Sequence, residues 1–169
     1  NRHALGGVAD EPASLAIERR HQFAFGKADQ IGPVDDFGEM GVQLAAAARG
    51  GYTLIDCEGE PEAILIATGS ELALAAEALR VLATKGRRIR LVSMPSTDVF
   101  EAQEPAWREA VLPRAVTRRV AVEAGARQCW WRYVGLDGEV IGIDRFGASG
   151  KGAELFRHFG FTTEHVVAA

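Results

Sequence analysis

Apolar residues along this chain recur with two different periods, and the switches between them predict most of its elements. Ala63-Ile64-Leu65-Ile66-Ala67 is an unbroken apolar run of strand length that stops at Thr68-Gly69-Ser70-Glu71. Directly afterwards Leu72, Ala75, Ala76, Leu79 and Leu82 fall at the spacing that lines one face of a helix. Gly69 permits a sharp turn, and Ser70 is placed to accept a hydrogen bond from the first-turn N–H groups. Glu71 sets a negative charge at the positive end of the helix dipole. Lys85-Gly86 predicts the helix stop, and a second apolar run, Ile89-Arg90-Leu91-Val92-Ser93, follows. Strand, helix and strand in this order predict a right-handed crossover between parallel strands.

The same reading extends outward from this unit. Tyr52-Thr53-Leu54-Ile55-Asp56 has strand composition, and the turn Cys57 to Pro61 is short enough to predict an antiparallel hairpin with the central strand. Met94-Pro95-Ser96-Thr97 predicts a strand-to-helix corner capped by Thr97, with a helix over Pro105 to Val111 closed by Pro113. Arg118 to Glu123 and Glu139 to Asp144 read as strands, and Cys129 to Val134 as a short helix. A glycine-rich loop over Gly147 to Gly152, its glycines free to take positive φ, leads to a helix over Ala153 to His158. Gly160 stops that helix, and Thr162 or Thr163 caps a last one. The alternation defines an α/β three-layer sandwich on a mixed, mostly parallel sheet over residues 41–169.

Residues 1–40 are patterned differently. A short helix over Ala13 to His21 and a scrap of strand at Phe23 and Phe25 stand among Gly6-Gly7, Gly32-Pro33 and Asp35-Asp36. So few periodic apolar residues do not offset an ordering entropy of roughly 1–2 kcal/mol per residue. A loosely ordered arm is expected, followed by a helix over Val42 to Ala48 that ends at Arg49-Gly50-Gly51. The opening residues carry neither Met nor the apolar core of a secretion signal, and read as the edge of something longer.

Charge narrows the partners. A net charge of −4 disfavours nucleic acid and anionic membrane surfaces, and no apolar run reaches the length of a membrane span. Cys57 and Cys129 read as free thiols in a reducing cytoplasm, and no Cys or His pair has zinc-ligand spacing.

Candidate chemistry follows from position. Thr68, Gly69, Ser70, Ser93, Met94 and Glu123 are expected along the carboxyl edge of the sheet, where open α/β folds bind ligands. A helix N-terminus there suits a small anion at Thr68, Gly69 and Ser70, although helix capping alone accounts for Ser70. Gly147 to Gly152 imitates a phosphate-binding loop but has Arg145 where a glycine is required and Gly152 where a Ser or Thr should hold magnesium, leaving Lys151 as a possible anion contact. Neither cysteine has a histidine near it in sequence, and His3, His21, His158 and His165 are scattered. Asp98, Glu101, Glu104 and Glu109 read as a solvated helix face. Trp130, Trp131 and Tyr133 cannot all enter one core, so at least one should face outward, either closing the sheet's end or meeting another subunit or domain.

From Leu44 to Val167 the chain resembles the C-terminal domain of transketolase. The carrying runs are Ala47 to Tyr52, Ile66-Ala67-Thr68-Gly69-Ser70-Glu71, Val92-Ser93-Met94-Pro95-Ser96-Thr97, Val111-Leu112-Pro113, Val120-Ala121-Val122-Glu123-Ala124-Gly125 and Phe159-Gly160-Phe161-Thr162. The aromatic pair before Tyr133 and the run Phe146 to Lys151 fit as well. The resemblance implies a homodimeric enzyme that uses thiamine diphosphate and a divalent metal (Mg or Ca) to move a two-carbon ketol unit between sugar phosphates. It also implies that cofactor, metal and catalytic glutamate belong to earlier domains, while the third domain is structural. No Gly-Asp-Gly metal signature stands here, and residues 1–40 lack the Arg-Gln-Asn stretch expected ahead of this domain. No catalytic, cofactor or metal residue is therefore assigned, and the chain alone is expected to be inactive. Its expected partners are the other domains of the enzyme or a second subunit. The alternative is a freestanding module binding a small anion at Thr68-Gly69-Ser70.

Overall fold

Five strands, β1 (Tyr52–Ile55), β2 (Ala63–Ala67), β3 (Ile89–Ser93), β4 (Arg119–Val122) and β5 (Glu139–Ile141), form one sheet in the order β1-β3-β2-β4-β5. The computed structural model describes residues 45–169. The expected arm, its helix at Ala13 to His21, the strand at Phe23 and Phe25, and residues 42–44 of the expected Val42 to Ala48 helix lie outside the described residues; residues 45–47 are helical.

β2 is buried throughout and pairs in parallel with β3 on one side and β4 on the other, and β5 continues the sheet in parallel. A strand covered on both faces needs no polar alternation, which is why its sequence is a plain apolar run. β1 closes the opposite edge and runs antiparallel to β3. The sheet is mixed, as expected, but the predicted hairpin between β1 and β2 does not form. The cause is an ion pair distant in sequence. Arg90 of β3 donates from Nε and Nη2 to the two carboxylate oxygens of Asp56, at 2.9 and 2.8 Å, and so holds the end of β1 beside β3.

One face of the sheet (Leu65, Ala67, Leu91, Val120, Val122) packs against α1 (Glu71–Thr84) with Phe161 and Val166. α1 buries Ala75, Ala76, Ala78 and Leu79. It ends as predicted, the Gly86 N–H donating to Ala83 O at 2.9 Å and the Arg87 N–H to Leu82 O at 3.1 Å. The opposite face (Ile64, Ile66, Val92, Ala121) is covered by Phe100, Val111, Trp130, Tyr133 and Val134. These come from three short helices, α2 (Thr97–Glu101), α3 (Pro105–Val111) and α4 (Trp131–Val134), with Trp130 just ahead of α4. α5 (Gly152–His158) and α6 (Thr163–Ala168) complete the chain, Val166 of α6 lying in the core of the first face.

Small corrections follow from local geometry. Ser96 rather than Thr97 caps α2, because Ser96 holds the extended backbone that lets its hydroxyl accept from Val99 N. Thr162 caps α6 by accepting from His165 N, and α5 begins at Gly152 rather than Ala153. None of the glycines between 147 and 152 takes a positive φ, so that loop does not use the freedom expected of it.

Arg49-Gly50-Gly51 does more than stop a helix. The Arg49 guanidinium lies 3.7 Å from the Trp107 ring centroid, donates to Gln103 Oε1 and pairs with Glu104. Gly50 O accepts from Ser96 N at 2.9 Å, and Gly51 O accepts from Trp107 Nε1 at 3.0 Å. Gly50 has φ +81°, and a Cβ there would run into the Phe100 backbone nitrogen. Glycine is required at that position by both conformation and space.

Candidate carboxyl-edge site

In register, Ala67 faces Ser93 on one side and Val122 on the other, so Thr68, Met94 and Glu123 leave the sheet side by side. That places all of the predicted edge residues where expected. Gly69 makes the turn at φ +55°.

Ser70 departs from expectation. Its backbone is already helical (φ −67°, ψ −23°), and its side chain caps nothing. A capping serine needs extended φ/ψ to aim its oxygen back at the first turn. The tight turn supplies backbone acceptors instead: Glu71 N donates to Thr68 O at 3.2 Å and Leu72 N to Gly69 O at 3.4 Å. The Ser70 hydroxyl donates to Glu71 Oε1 at 3.0 Å.

Glu71 is 4% exposed. Glu123 stands near it, and its Oε2 is buried without a partner. Burial first, and the charge of Glu71 second, push the Glu123 carboxyl above its ordinary range. Chemically this edge is an acidic corner whose helix N-terminus is already served by the chain's own carboxylate. Such a corner favours protons and cations over anions.

The other candidates lie apart. Lys151 Nζ is 4.0 Å from Glu154. Cys57 and Cys129 are both free, and burial, followed by Asp56, pushes the Cys57 thiol up, away from the thiolate a nucleophile requires. His165 Nδ1 lies 2.8 Å from Gly160 O, an arrangement that holds a loop. The acidic residues expected as a solvated face are mostly engaged in ion pairs: Glu104 with Arg49, Glu101 with Arg108 and Arg132, and Glu109 with Arg114. Asp98, Glu104 and Glu109 are nonetheless exposed, as expected of a solvated face, and of the basic partners only Arg49 and Arg132 are distant in sequence.

Of the three aromatics, Trp130 and Tyr133 belong to this domain's own core, their ring centroids 6.0 Å apart at 58°. Trp131 is the outward one, 46% exposed, and Leu136 just beyond α4 is fully exposed.

The sequence reading gave no role to two arginines that organise the opposite edge. Ile64 has Arg90 and Arg119 as its register partners on either side, so the three share a face. Arg90 Nη1 donates to the carbonyls of Ala110 and Val111 at 2.7 and 3.3 Å. Arg119 donates to the carbonyls of Val116, Tyr133, Leu112 and Pro113. Together they satisfy the orphan carbonyls at the ends of α3 and α4. The available signal was an arginine inside an apolar strand run, which demands a buried partner.

Thiamine diphosphate and its metal find no match in these residues. Among the described residues no group of three or more His, Cys, Asp and Glu side chains could hold a metal ion. The corner where a diphosphate would meet a helix N-terminus carries Glu71 and Glu123, which repel it. Among the described residues no helix is long and apolar enough to cross a membrane.

A mostly parallel sheet with a helix layer on each face defines a doubly covered α/β domain. Residues 50–162 match the model of the transketolase-like C-terminal domain. The chain is 59% identical over 125 residues to transketolase 2 of Aliivibrio fischeri, covering 74% of this chain and 19% of that protein. It is 56% identical over 126 residues to transketolase 1 of Escherichia coli, covering 75% and 19%. Among solved structures, Pichia stipitis transketolase in complex with sedoheptulose-7-phosphate superimposes with a TM-score of 0.67 at 38% identity, covering 74% of this chain and 18% of that one. Leishmania mexicana transketolase gives 0.68 at 35% identity, again covering 74% and 18%. This chain belongs to the transketolase C-terminal domain family. It spans about a fifth of the length of the curated relatives it matches.

Proposed function

We propose that this chain is the supporting third domain of a thiamine-diphosphate-dependent enzyme that transfers a two-carbon ketol unit between sugar phosphates, and that it is inactive alone. The observation that carries the reading is the family match over residues 50–162 in a chain that corresponds to 19% of its relatives. Its role is to bury surface against catalytic domains or a second subunit, with Trp131 and Leu136 as the apolar anchors. Trp130 and Tyr133 act indirectly, by holding α4 against the sheet beneath Trp131. The cofactor and its metal belong on the catalytic domains, and the free thiols Cys57 and Cys129 suit a reducing, cytoplasmic setting.

The competing reading, a freestanding anion module at Thr68, Gly69 and Ser70, gains no support from a corner occupied by Glu71 and Glu123. The test is an assay of the purified 169-residue chain with thiamine diphosphate, divalent metal and donor and acceptor sugar phosphates. No turnover is expected. Adding the catalytic domains of a relative as a separate polypeptide should give a complex on size exclusion with light scattering that Trp131→Glu weakens roughly tenfold or more. Turnover by the chain alone would overturn the proposal.

A further inference from the structure

The layer of short helices encloses a cleft of about 250 Å3 between α2, α3 and α4, lined by Arg108, Arg114, Arg119 and Arg132 against only Glu101 and Glu109. Arg119 is committed to backbone carbonyls. The other three guanidinium groups share the two carboxylates: Glu101 meets Arg108 at 3.4 Å and Arg132 at 3.1 Å, while Glu109 meets Arg114 at 3.4 Å. Four cations against two anions leave the lining with two positive charges.

Two polar atoms in this wall are sealed from solvent and have no hydrogen-bond partner, Arg108 Nε and the Tyr133 hydroxyl. Tyr133 is 4% exposed. Leaving a buried donor unpaired costs roughly 1–3 kcal/mol, so both sites call for an acceptor. Glu101 and Thr97 are the polar side chains beside the hydroxyl. Burial first, then Glu101, push the Tyr133 phenol up to about 12, so it keeps its proton and serves as a donor.

We propose that this cleft binds a small dianion, phosphate being the simplest, held by the Arg108 and Arg132 guanidinium groups with Arg114 supplying further positive charge, and that the sealed Arg108 Nε and Tyr133 hydroxyl turn toward its oxygens on binding. The planar guanidinium fork suits such an oxyanion, and the excess charge of the lining matches it. The site lies on the helix layer, away from the carboxyl-edge corner, and shares α4 with the docking anchor Trp131.

The experiment is a calorimetric titration of the 169-residue chain with inorganic phosphate at low ionic strength, with thermal melts to monitor the fold. Saturable one-site binding is expected, weakened roughly tenfold or more in Arg108→Gln and roughly threefold in Tyr133→Phe. Ser70→Ala should bind like the unaltered chain. Should Arg108→Gln fail to fold, Tyr133→Phe and Arg132→Gln decide. Non-saturable binding, equal affinity in the cleft variants, or loss in Ser70→Ala with the cleft variants unaffected would each overturn the proposal.

Discussion

The two edges of the sheet are opposites in how they handle charge. At the amino edge Arg90 and Arg119 flank Ile64, and each buried donor finds a carboxylate or a carbonyl. At the carboxyl edge two carboxylates crowd one corner, and one oxygen of Glu123 finds nothing. The first arrangement is fully paired, and removing any member should be costly. The second carries a net excess of one sign, and removing a member should help. In open α/β sheets ligands bind beyond the carboxyl ends of the strands, yet here that edge is the worse suited of the two to an anionic cofactor.

The largest expected effect tests the paired edge. Arg90→Met strands the Asp56 carboxylate, whose side chain is only 15% exposed, and frees two carbonyls. Urea unfolding should show a loss of about 3 kcal/mol. A loss under about 1 kcal/mol, the range of an exposed ion pair, would erase the contrast between the edges.

A smaller effect of opposite sign belongs to Glu123→Gln. Because the folded state raises this carboxyl, it holds the proton more tightly than the unfolded chain does. The contribution of Glu123 is therefore best in acid and is lost as pH rises through the raised folded value. Glutamine removes that loss, so the thermal midpoint at pH 7 should rise by roughly 2 °C, with the gain vanishing in acid below the ordinary carboxylate range. A drop at neutral pH would mean that Glu123 has a favourable partner after all.

The smallest effect is the most diagnostic of local geometry. If Ser70 capped α1, alanine would cost about 1 kcal/mol. With helical φ/ψ and a hydroxyl turned to Glu71, Ser70→Ala should stay within about 0.5 kcal/mol in the same urea experiment.

What the sequence disclosed depended on the range of the interaction. β2, α1 and β3 were legible because an apolar run, a helical period and a second run succeed one another without interruption. The partner of β1 was not, since it is set by Arg90 and Asp56, separated by 34 positions with no local trace. Ser70 was identified as a residue of the edge, but its role turned on dihedrals imposed by the Gly69 turn. Among the aromatics, a helix of four residues offers no period by which to tell the inward Trp130 from the outward Trp131. The family, by contrast, was readable from motifs in order, which need no side-chain geometry.

The fastening of Arg49-Gly50-Gly51 onto Trp107, Gln103 and Ser96 has a mechanical meaning. A pull or twist arriving along the preceding polypeptide meets a clamp on the α2–α3 pair before it can reach the first strand. A disturbance at Arg49 therefore reaches those two short helices ahead of the first strand, and they act as its gasket.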